Sequence, residues 1–538
     1  MPLTKPVKAQ LRENIFRHLD GIATAPSAYC LHKKGIADFI LREKEVLLSE
    51  ITKKFSANEG YLNVALRIVC SQGWLTQEIV EGDIRFSVND HSEKAFELFL
   101  LYDDVVNLLK FSEKFHRRKF EAEPFQLLEQ IINKYYDNYG LVFSEDPIDF
   151  ALQEQVLKHI EGILIGPTIV HLGMSGMFHK YFMEVSFRAE EFHNDPESFT
   201  VLLDFLAHLN WFEKKNDTYR FTETGFFFAQ RASAYGVTVS YIPTFRHLDE
   251  LIFGDPTKVL KSSEGQPERH VDREMNVWGS GGAHINYFKV IDEIIIEIFN
   301  KPLDEQPKGI LDMGCGNGAF LKHMFEVIEL QTLRGKHLDG RPLFLVGADF
   351  NEAALKVTRS HLIEADIWAK VIWGDIGRPD LLAKDLKEDY DIDLSDLLNV
   401  RTFLDHNRIW EEPETTNEYL SESSGAYATL GRRLPNNLVE ESLVAHFKKW
   451  TPYVSKFGLL LIELHTIPPH VTAANIGRTP ATAYDGTHGF SDQYILEADV
   501  FLDVAKRAGL ISDARFTKRF PDSELCTVTI NLMKGNSE

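Results

Sequence analysis

The run from Gly309 to Gly318 constrains this chain of 538 residues more than any other feature of its sequence. A short apolar stretch ends at Asp312, and three glycines then follow at alternate positions, Gly314, Gly316 and Gly318. A helical pattern begins directly afterwards, so the run predicts a strand, a tight turn and a helix N-terminus. Glycines in such a turn let the backbone approach a ligand closely, because a Cβ atom would block the approach.

This D-x-G-x-G-x-G run resembles the first motif of class I S-adenosylmethionine-dependent methyltransferases. A dinucleotide-binding loop is an alternative, since Gly314, Gly316 and Ala319 also fit the pattern G-x-G-x-x-A. Asp312 favours the methyltransferase, because a carboxylate there repels a pyrophosphate but suits the cationic methionine end of S-adenosylmethionine. A glycine-rich turn without a ligand is the third interpretation.

Three downstream segments extend the resemblance. Residues 343–349 are predicted to form a second strand that ends at Asp349, residues 370–373 a third, and residues 391–399 a fourth. An acid at the end of the second strand can accept hydrogen bonds from both ribose hydroxyls. The resemblance implies that the cofactor site also includes Phe350 after the second strand, Asp375 and Ile376 after the third, and Asn399 at the end of the fourth.

The end of the chain agrees with this interpretation. Residues 457–464 are predicted to form the fifth strand, and residues 500–510 a helix stopped by Gly509. Two strands follow, at 514–520 and 525–533, separated by a turn signal. Class I methyltransferases finish with such a helix and antiparallel hairpin. We therefore expect an α/β fold, with a Rossmann-like parallel sheet and a terminal antiparallel hairpin.

The half of the chain before this sheet contains a weak internal repeat. Residues 31–88 show three helical patterns and then a hairpin, and residues 174–224 repeat this order. Trp74 and Trp211 stand at matching positions and are interpreted as core residues. The repeat predicts two mainly helical, winged-helix-like units. We expect three domains: residues 1–145 with a helical extension, residues 146–256, and a catalytic domain at residues 257–538.

Charge and composition limit the function of these units. The net charge of −22 opposes binding of a phosphate backbone, and acids interleave with the local lysines and arginines. These charges argue against binding of nucleic acid. Small-molecule methyltransferases often carry a winged-helix-like N-terminal region that dimerises and covers the active site, so the resemblance implies that these units form a homodimer and shape the substrate pocket. Four cysteines without pairing or metal spacing, and no apolar run near the ~20 residues of a membrane span, predict a cytoplasmic protein.

Catalytic residues are expected after the fourth and fifth strands, where substrate meets the cofactor. The segment from Arg401 to Trp410 resembles that of winged-helix O-methyltransferases, whose histidine is the general base. The resemblance implies this role for His406, with Asp405 or Glu463 orienting it; here the aspartate precedes the histidine. The segment looks closer to methyltransferase domains of polyketide synthases, including apratoxin-type loading modules.

Two other histidines are candidates for the same pocket, His465 after the fifth strand and His488 further along. Each is alternatively a loop histidine satisfied by a backbone group. Two histidines with an oxygen ligand suit iron or manganese, so a mononuclear metal held by His465, His488, Asp492 or Gln493 remains an alternative. The spacing of these residues matches no tight metal motif.

These observations predict a methyltransferase that uses S-adenosylmethionine. The acceptor is expected to be a carbon or oxygen atom of a small biosynthetic molecule, such as a polyketide or a carrier-bound acyl group. The alternative is a catalytically inactive, regulatory protein that binds S-adenosylmethionine and uses its winged-helix units for interactions.

Overall fold

The second half of the chain contains an eight-stranded sheet in the order β13-β15-β12-β9-β6-β7-β8, with β14 paired to β15. The computed structural model describes residues 2–112, 121–261, 268–414 and 419–535. The strands of the chain are β1 (Glu45–Leu47), β2 (Thr76–Val80), β3 (Asp83–Ser87), β4 (Phe212–Lys215), β5 (Thr218–Phe221), β6 (Gly309–Met313), β7 (Phe344–Asp349), β8 (Lys370–Trp373), β9 (Leu397–Thr402), β10 (Tyr427–Thr429), β11 (Arg432–Leu434), β12 (Leu459–Leu464), β13 (Leu510–Ser512), β14 (Lys518–Phe520) and β15 (Val528–Gly535).

Helices dominate the first 300 residues. They are α1 (Lys5–Lys33), α2 (Ile36–Glu43), α3 (Leu48–Phe55), α4 (Glu59–Ser71), α5 (Ser92–Glu97), α6 (Asp103–Leu109), α7 (Ala122–Tyr136), α8 (Pro147–Met174), α9 (Lys180–Glu184), α10 (Pro196–His208), α11 (Glu223–Ala229), α12 (Ser233–Ser240), α13 (Ile242–Phe245), α14 (Leu248–Phe253), α15 (Thr257–Leu260) and α16 (Arg273–Phe299). The later helices are α17 (Ala319–Gln331), α18 (Glu352–Glu364), α19 (Pro379–Tyr390), α20 (Asn436–Val454), α21 (Pro469–Ala473), α22 (Ala481–Gly489) and α23 (Ala498–Arg507).

The sheet confirms the predicted fold class. Strands β6, β7, β8, β9 and β12 are mutually parallel, and β15 runs antiparallel to β12. All residues of β6 and β12 are buried, which is the pattern of central strands covered on both faces. The strand order reverses between β6 and β9, so the carboxyl ends of these two strands border the crevice where open α/β sheets bind ligands.

The predicted strand positions are close to those observed. The second and third strands lie within a residue of their predicted bounds, and β12 begins two residues late, at Leu459. The fourth strand was predicted at residues 391–399, but β9 spans Leu397–Thr402, because a short 3-10 turn, Leu394–Asp396, precedes it. The terminal hairpin gains the short strand β13, which pairs with β15 directly after α23.

The two predicted winged-helix-like units each contain a hairpin after helices. In the first, β2 and β3 pair antiparallel and β1 joins the edge of β3; in the second, β4 pairs with β5. Trp74 and Trp211 are both buried, as expected for core residues. Trp211 stacks on Phe228 of α11, with ring centroids 4.4 Å apart.

The chain divides into two units that are not contiguous in sequence. The first comprises residues 1–282, 428–433 and 468–491; the second comprises residues 283–427, 434–467 and 492–538 and holds the sheet. Helices α21 and α22 therefore belong to the first unit, although they follow β12 in the chain. The three domains predicted from the sequence stay a prediction. Within the described residues, no helix combines the length and apolarity that a membrane crossing requires.

Candidate active site

A glycine-rich loop joins β6 to α17 at the carboxyl edge of the sheet. The loop is held to β7 by the amides of Gly314 and Cys315, which donate to the carbonyl of Ala348 at 2.8 and 3.1 Å. The hydroxyl of Thr358 donates to the carbonyl of Gly316 at 2.9 Å. A Cβ atom placed on Gly316 would meet only one backbone oxygen, 4.0 Å away. Hydrogen bonds to Ala348 and Thr358 therefore hold the turn in place, while the space beside Gly316 is empty.

Asp312 is buried in β6 immediately before this loop. Among the described residues, neither oxygen of its carboxyl group has a hydrogen-bond partner. Burial and, to a lesser extent, the nearby charge of Asp349 together raise the pKa of Asp312 to about 8. A buried carboxyl group without a protein partner is suited to meet a cationic or hydrogen-bond-donating ligand.

Asp349 ends β7 and is held by the backbone around it. Its carboxylate accepts from the amide of Gly316 at 3.1 Å and from the amide of Asn351 at 2.8 Å. Phe350 follows and is 58% exposed; its ring lies 5.6 Å from that of Trp373, which is 41% exposed at the end of β8. Sequence reasoning missed Trp373, although an aromatic residue directly before Gly374-Asp375 was a possible signal.

The other predicted cofactor residues are more buried or locally bonded. Asp375 accepts from the amide of Gly377 at 2.7 Å, and Ile376 packs in the core while its carbonyl accepts from Trp450 Nε1 at 2.7 Å. Asn399 is buried within β9 and donates to the carbonyl of Leu397 at 3.2 Å. Contacts of these three side chains with a cofactor stay predictions.

His406 lies on a 3-10 turn, Asp405–Asn407, that follows β9. Its Nδ1 is 2.5 Å from Oε1 of Glu463 in β12. The other oxygen of Glu463 accepts from the amide of Asp405 at 3.0 Å. One buried carboxylate therefore holds both the ring of His406 and the backbone of its turn. A histidine hydrogen-bonded to a buried carboxylate is the usual arrangement of a general base and its orienting group.

The side chain of Asp405 has different partners. It is 2.5 Å from Nη1 of Arg401 and 2.9 Å from Nε2 of His446, and all three side chains are buried. Burial alone would raise the pKa of Asp405, but Arg401 and His446 outweigh it and hold the pKa at about 2. Burial lowers the pKa of His446, so we take this histidine as a neutral donor to the ionised Asp405.

His446 was missed by sequence reasoning. It lies on α20, far along the chain from the turn that it contacts, and the sequence around it shows only an amphipathic helix. The guanidinium of Arg401 also lies 3.9 Å above the ring of Trp450, on the same helix. These contacts place Asp405 in a structural cluster that braces the turn, while Glu463 is the group that touches His406.

The remaining two candidate histidines have their own local partners. His465 is fully buried; its ring nitrogens contact the carbonyl of Leu496 at 3.1 Å and the hydroxyl of Thr529 at 2.8 Å. Burial lowers its pKa to about 3. His488 lies on α22 in the first unit, and its Nδ1 is 2.8 Å from the carbonyl of Tyr484.

Metal ligation was the alternative role for these histidines. Within residues 2–112, 121–261, 268–414 and 419–535, no three histidine, cysteine or acidic side chains form a group that could hold a metal ion.

Three family models match the chain. Residues 268–531 match the AprA MT2-like domain, residues 161–255 the AprA winged helix domain, and residues 11–77 the AprA N-terminal domain. Together the three segments span most of the sequence. No curated protein sequence matches the chain.

Several solved structures are distantly similar. The mitomycin 7-O-methyltransferase MmcR is 10% identical, covers 72% of this chain and 98% of its own, and has a TM-score of 0.42. Human N-acetylserotonin methyltransferase in complex with SAM is 11% identical, with coverages of 74% and 100% and a TM-score of 0.42. The DszA carbon methyltransferase is 12% identical, with coverages of 83% and 94% and a TM-score of 0.27. At these values none of them transfers a substrate to this chain.

Proposed function

Because the chain belongs to the AprA MT2-like family of class I S-adenosylmethionine-dependent methyltransferases, we propose that it methylates a carbon or oxygen atom of a small biosynthetic substrate. The substrate class that we propose is a polyketide or a carrier-bound acyl group. The observation that carries the proposal is the pair that His406, on the turn after β9, forms with Glu463 of β12, since β9 lies beside β6 and its glycine loop. A binding protein without turnover has no need of a base at that position.

The residues around the loop fit the cofactor. The unpartnered carboxyl group of Asp312 suits the cationic methionine end of S-adenosylmethionine. The empty space beside Gly316 would let the cofactor lie close to the backbone of the loop. Asp349, already oriented by two backbone amides, would accept hydrogen bonds from the ribose, and Phe350 would pack beside the adenine. When bound, the cofactor supplies an electrophilic methyl group on a sulfonium.

The chain's own contribution to the reaction is positioning and proton removal. With a proton on Nδ1 shared with Glu463, the neutral ring of His406 keeps its lone pair on Nε2. Nε2 would take the proton from the acceptor carbon or hydroxyl as that atom attacks the methyl group. Glu463 would then stabilise the imidazolium, while the bonded turn holds the ring in place.

The test is a substitution that removes the base but leaves the cofactor site. His406→Gln is expected to retain S-adenosylmethionine affinity within about threefold and to lose about 10²-fold or more in turnover, since this is the usual contribution of a general base. Glu463→Gln should also lower turnover, because the ring of His406 then loses the carboxylate that orients it. Turnover is followed by mass spectrometry of methyl-labelled product in an extract supplied with labelled cofactor.

A matched control is available in the same unit. His323 forms a histidine–carboxylate pair with Asp292 at 2.7 Å, and neither residue belongs to the site. His323→Gln should leave turnover unchanged. Normal turnover in His406→Gln would exclude this base. Cofactor binding without any labelled product in the parent would favour the regulatory alternative.

A further inference from the structure

The first unit contains a cavity of about 620 Å³ that the catalytic proposal does not use. Its lining comes from α8, α12, α13, α15, the start of α16 and the segments beside them. Cavities of roughly 300–1,000 Å³ are the usual size of small-molecule sites. Part of this lining lies inside the match to the winged helix domain, at residues 161–255.

The inner wall of the cavity is apolar. The side chains that form it are buried and come from four different elements and the residues joining them: Val239, Ile242, Val259, Val271 and Met275. Pro167, within α8, and Pro243 complete this wall. Such a surface favours the hydrocarbon part of a ligand, because binding removes apolar area from water on both sides.

The rest of the lining is mainly basic. It contains five residues that carry or can acquire a positive charge, namely His171, Arg246, His247, Lys258 and Arg269. The two acids, Glu268 and Asp272, are engaged locally: Glu268 accepts from Nε of Arg273 at 2.9 Å, and Asp272 from the amide of Met275 at 3.0 Å.

Not every cation contributes equally. Lys258 is bonded to Glu250 at 2.7 Å, and Glu250 is outside the lining. Arg246 and Arg269 carry guanidinium groups, which keep their positive charge at neutral pH. The fixed charges of the lining, three cations against two acids, sum to a small positive charge in a chain whose net charge is −22.

Hydrogen bonds fix the walls relative to one another. The hydroxyl of Thr244 donates to the carbonyl of His270 at 2.6 Å, and the amide of Asp272 donates to the carbonyl of Ser240 at 2.8 Å. The side chain of Asn276 also donates to the hydroxyl of Ser240, at 3.0 Å. The cavity is thus bounded by segments that are already joined, which reduces the ordering needed on binding.

We propose that this cavity binds a small amphipathic anion, a carboxylate or a phosphate monoester that carries an apolar chain. The apolar wall takes the chain, and the arginines pair with the anionic head group, for which a guanidinium is well shaped. The site lies wholly within the first unit and does not depend on the methyl-transfer proposal.

Isothermal titration of the full chain with three probes of equal chain length tests this inference. Octanoate or octyl phosphate is expected to bind with a submillimolar Kd, and 1-octanol at least about tenfold more weakly, because it lacks the charge. Tighter binding of octyl phosphate would assign a phosphate ester, and tighter binding of octanoate a carboxylate. Binding of 1-octanol as tight as that of the anions, or no binding of either anion, would overturn the proposal.

A charge-matched pair of variants locates the binding. Arg246→Gln with Arg269→Gln should weaken anion binding about tenfold or more and leave S-adenosylmethionine affinity unchanged. Arg85→Gln with Arg220→Gln removes two arginines of the same unit that lie outside the lining, and should leave anion binding within twofold. Equal anion binding in both double variants, with both folded by thermal melting, would place the anion elsewhere and contradict the inference.

Discussion

At the residue scale, the carboxyl group of Asp312 links stability to binding. With a pKa of about 8 in the folded chain, against about 3.9 for an unperturbed aspartate, it keeps its proton at neutral pH. Between these two values the folded state holds one more proton than the unfolded state. The free energy of unfolding contributed by this group therefore falls as pH rises from about 4 to 8. At neutral pH the aspartate at position 312 therefore does not stabilise the folded chain.

We therefore expect Asp312→Asn to raise the stability of the ligand-free protein. The gain should be on the order of 3 kcal/mol near pH 7 and disappear near pH 4, since the aspartate is then protonated in both states. Thermal melts at pH 5 and pH 8 measure it, with the exposed Asp385→Asn as control. A lower melting temperature at pH 8 than that of the parent would contradict this account.

The same carboxyl group should make cofactor binding depend on pH. If S-adenosylmethionine binds the ionised form, its affinity should rise by up to tenfold per pH unit below about 8 and level off above it. Titration calorimetry in buffers of different ionisation enthalpy detects the released proton. Asp312→Asn should bind more weakly and lose this slope. A slope that persists unchanged in the variant would assign it to the ligand instead.

At the scale of elements, the loop between β6 and α17 uses its glycines for different purposes. Gly318 has φ of 77° and begins α17, and a Cβ there would lie 3.0 Å from Thr358. Gly316 has φ of 55°, but a Cβ there meets open space. Packing against Thr358 thus requires a glycine at position 318, whereas the space beside Gly316 is left empty by the protein itself.

This difference predicts separate outcomes for two alanine substitutions. Gly316→Ala should lose only about 1 kcal/mol of stability, the usual penalty of a left-handed backbone for a residue with a Cβ, yet lose most of its cofactor affinity. Gly318→Ala should lose more stability. Gly35→Ala, at φ of 76° with nothing within 4 Å of its Cβ, controls for the backbone penalty alone. Undiminished cofactor affinity in Gly316→Ala would move the binding site away from this loop.

The elements of the sheet could be predicted because each carries a local signal. Strand β6 is an uninterrupted buried run followed by glycines, and α23 ends two residues before Gly509. The start of β9 was predicted at Asp391 instead of Leu397, because acidic and apolar residues alternate from Asp391 to Leu394 as they do in a strand, whereas Leu394–Asp396 form a turn. Contacts between residues that are far apart in the sequence could not be predicted either. Nothing near His446 indicates that it contacts Asp405.

At the scale of the whole molecule, the first unit is completed by a segment that lies late in the sequence. Within that unit, Asp485 of α22 is 2.9 Å from Nε of Arg67 in α4, and both side chains are buried. Thr482 accepts from the side chain of Gln72 at 2.9 Å. A Cβ on Gly489 would lie 2.8 Å from Val64, so the two helices are in close contact. Sequence repeats did not predict this arrangement, because α22 follows β12 in the chain.

We expect residues 1–282 expressed alone to be unstable, since α21 and α22 are then missing. In the full chain, Asp485→Asn should lower the free energy of unfolding by on the order of 3 kcal/mol, because it leaves a buried arginine without its carboxylate. Hydrogen exchange of α4 and denaturant titration report both effects. Asp90→Asn, an exposed change in the same unit, should be neutral. A cooperative, fully stable fragment 1–282 would refute this view of the unit.

The homodimer predicted from the winged-helix region is also a property of the whole molecule. The full chain should elute at about twice its mass of 61.6 kDa in light scattering coupled to size exclusion, and should not shift duplex DNA at physiological salt. A monomer across the micromolar range, or salt-sensitive binding of DNA, would contradict these expectations.

The late position of α22 has a consequence for how the protein is made. A ribosome that has released residue 282 must still synthesise roughly 200 more before residue 491 emerges, which takes about 10 to 40 s at 5–20 residues per second. During this interval the nascent first unit exposes the apolar surface and the arginine that α22 later covers.

The same arrangement restricts gene shuffling. A recombination that exchanges everything after residue 268 as one segment also replaces two helices of the first unit. An incoming segment 468–491 must therefore fit the resident α1 and α4, both of which contact α22.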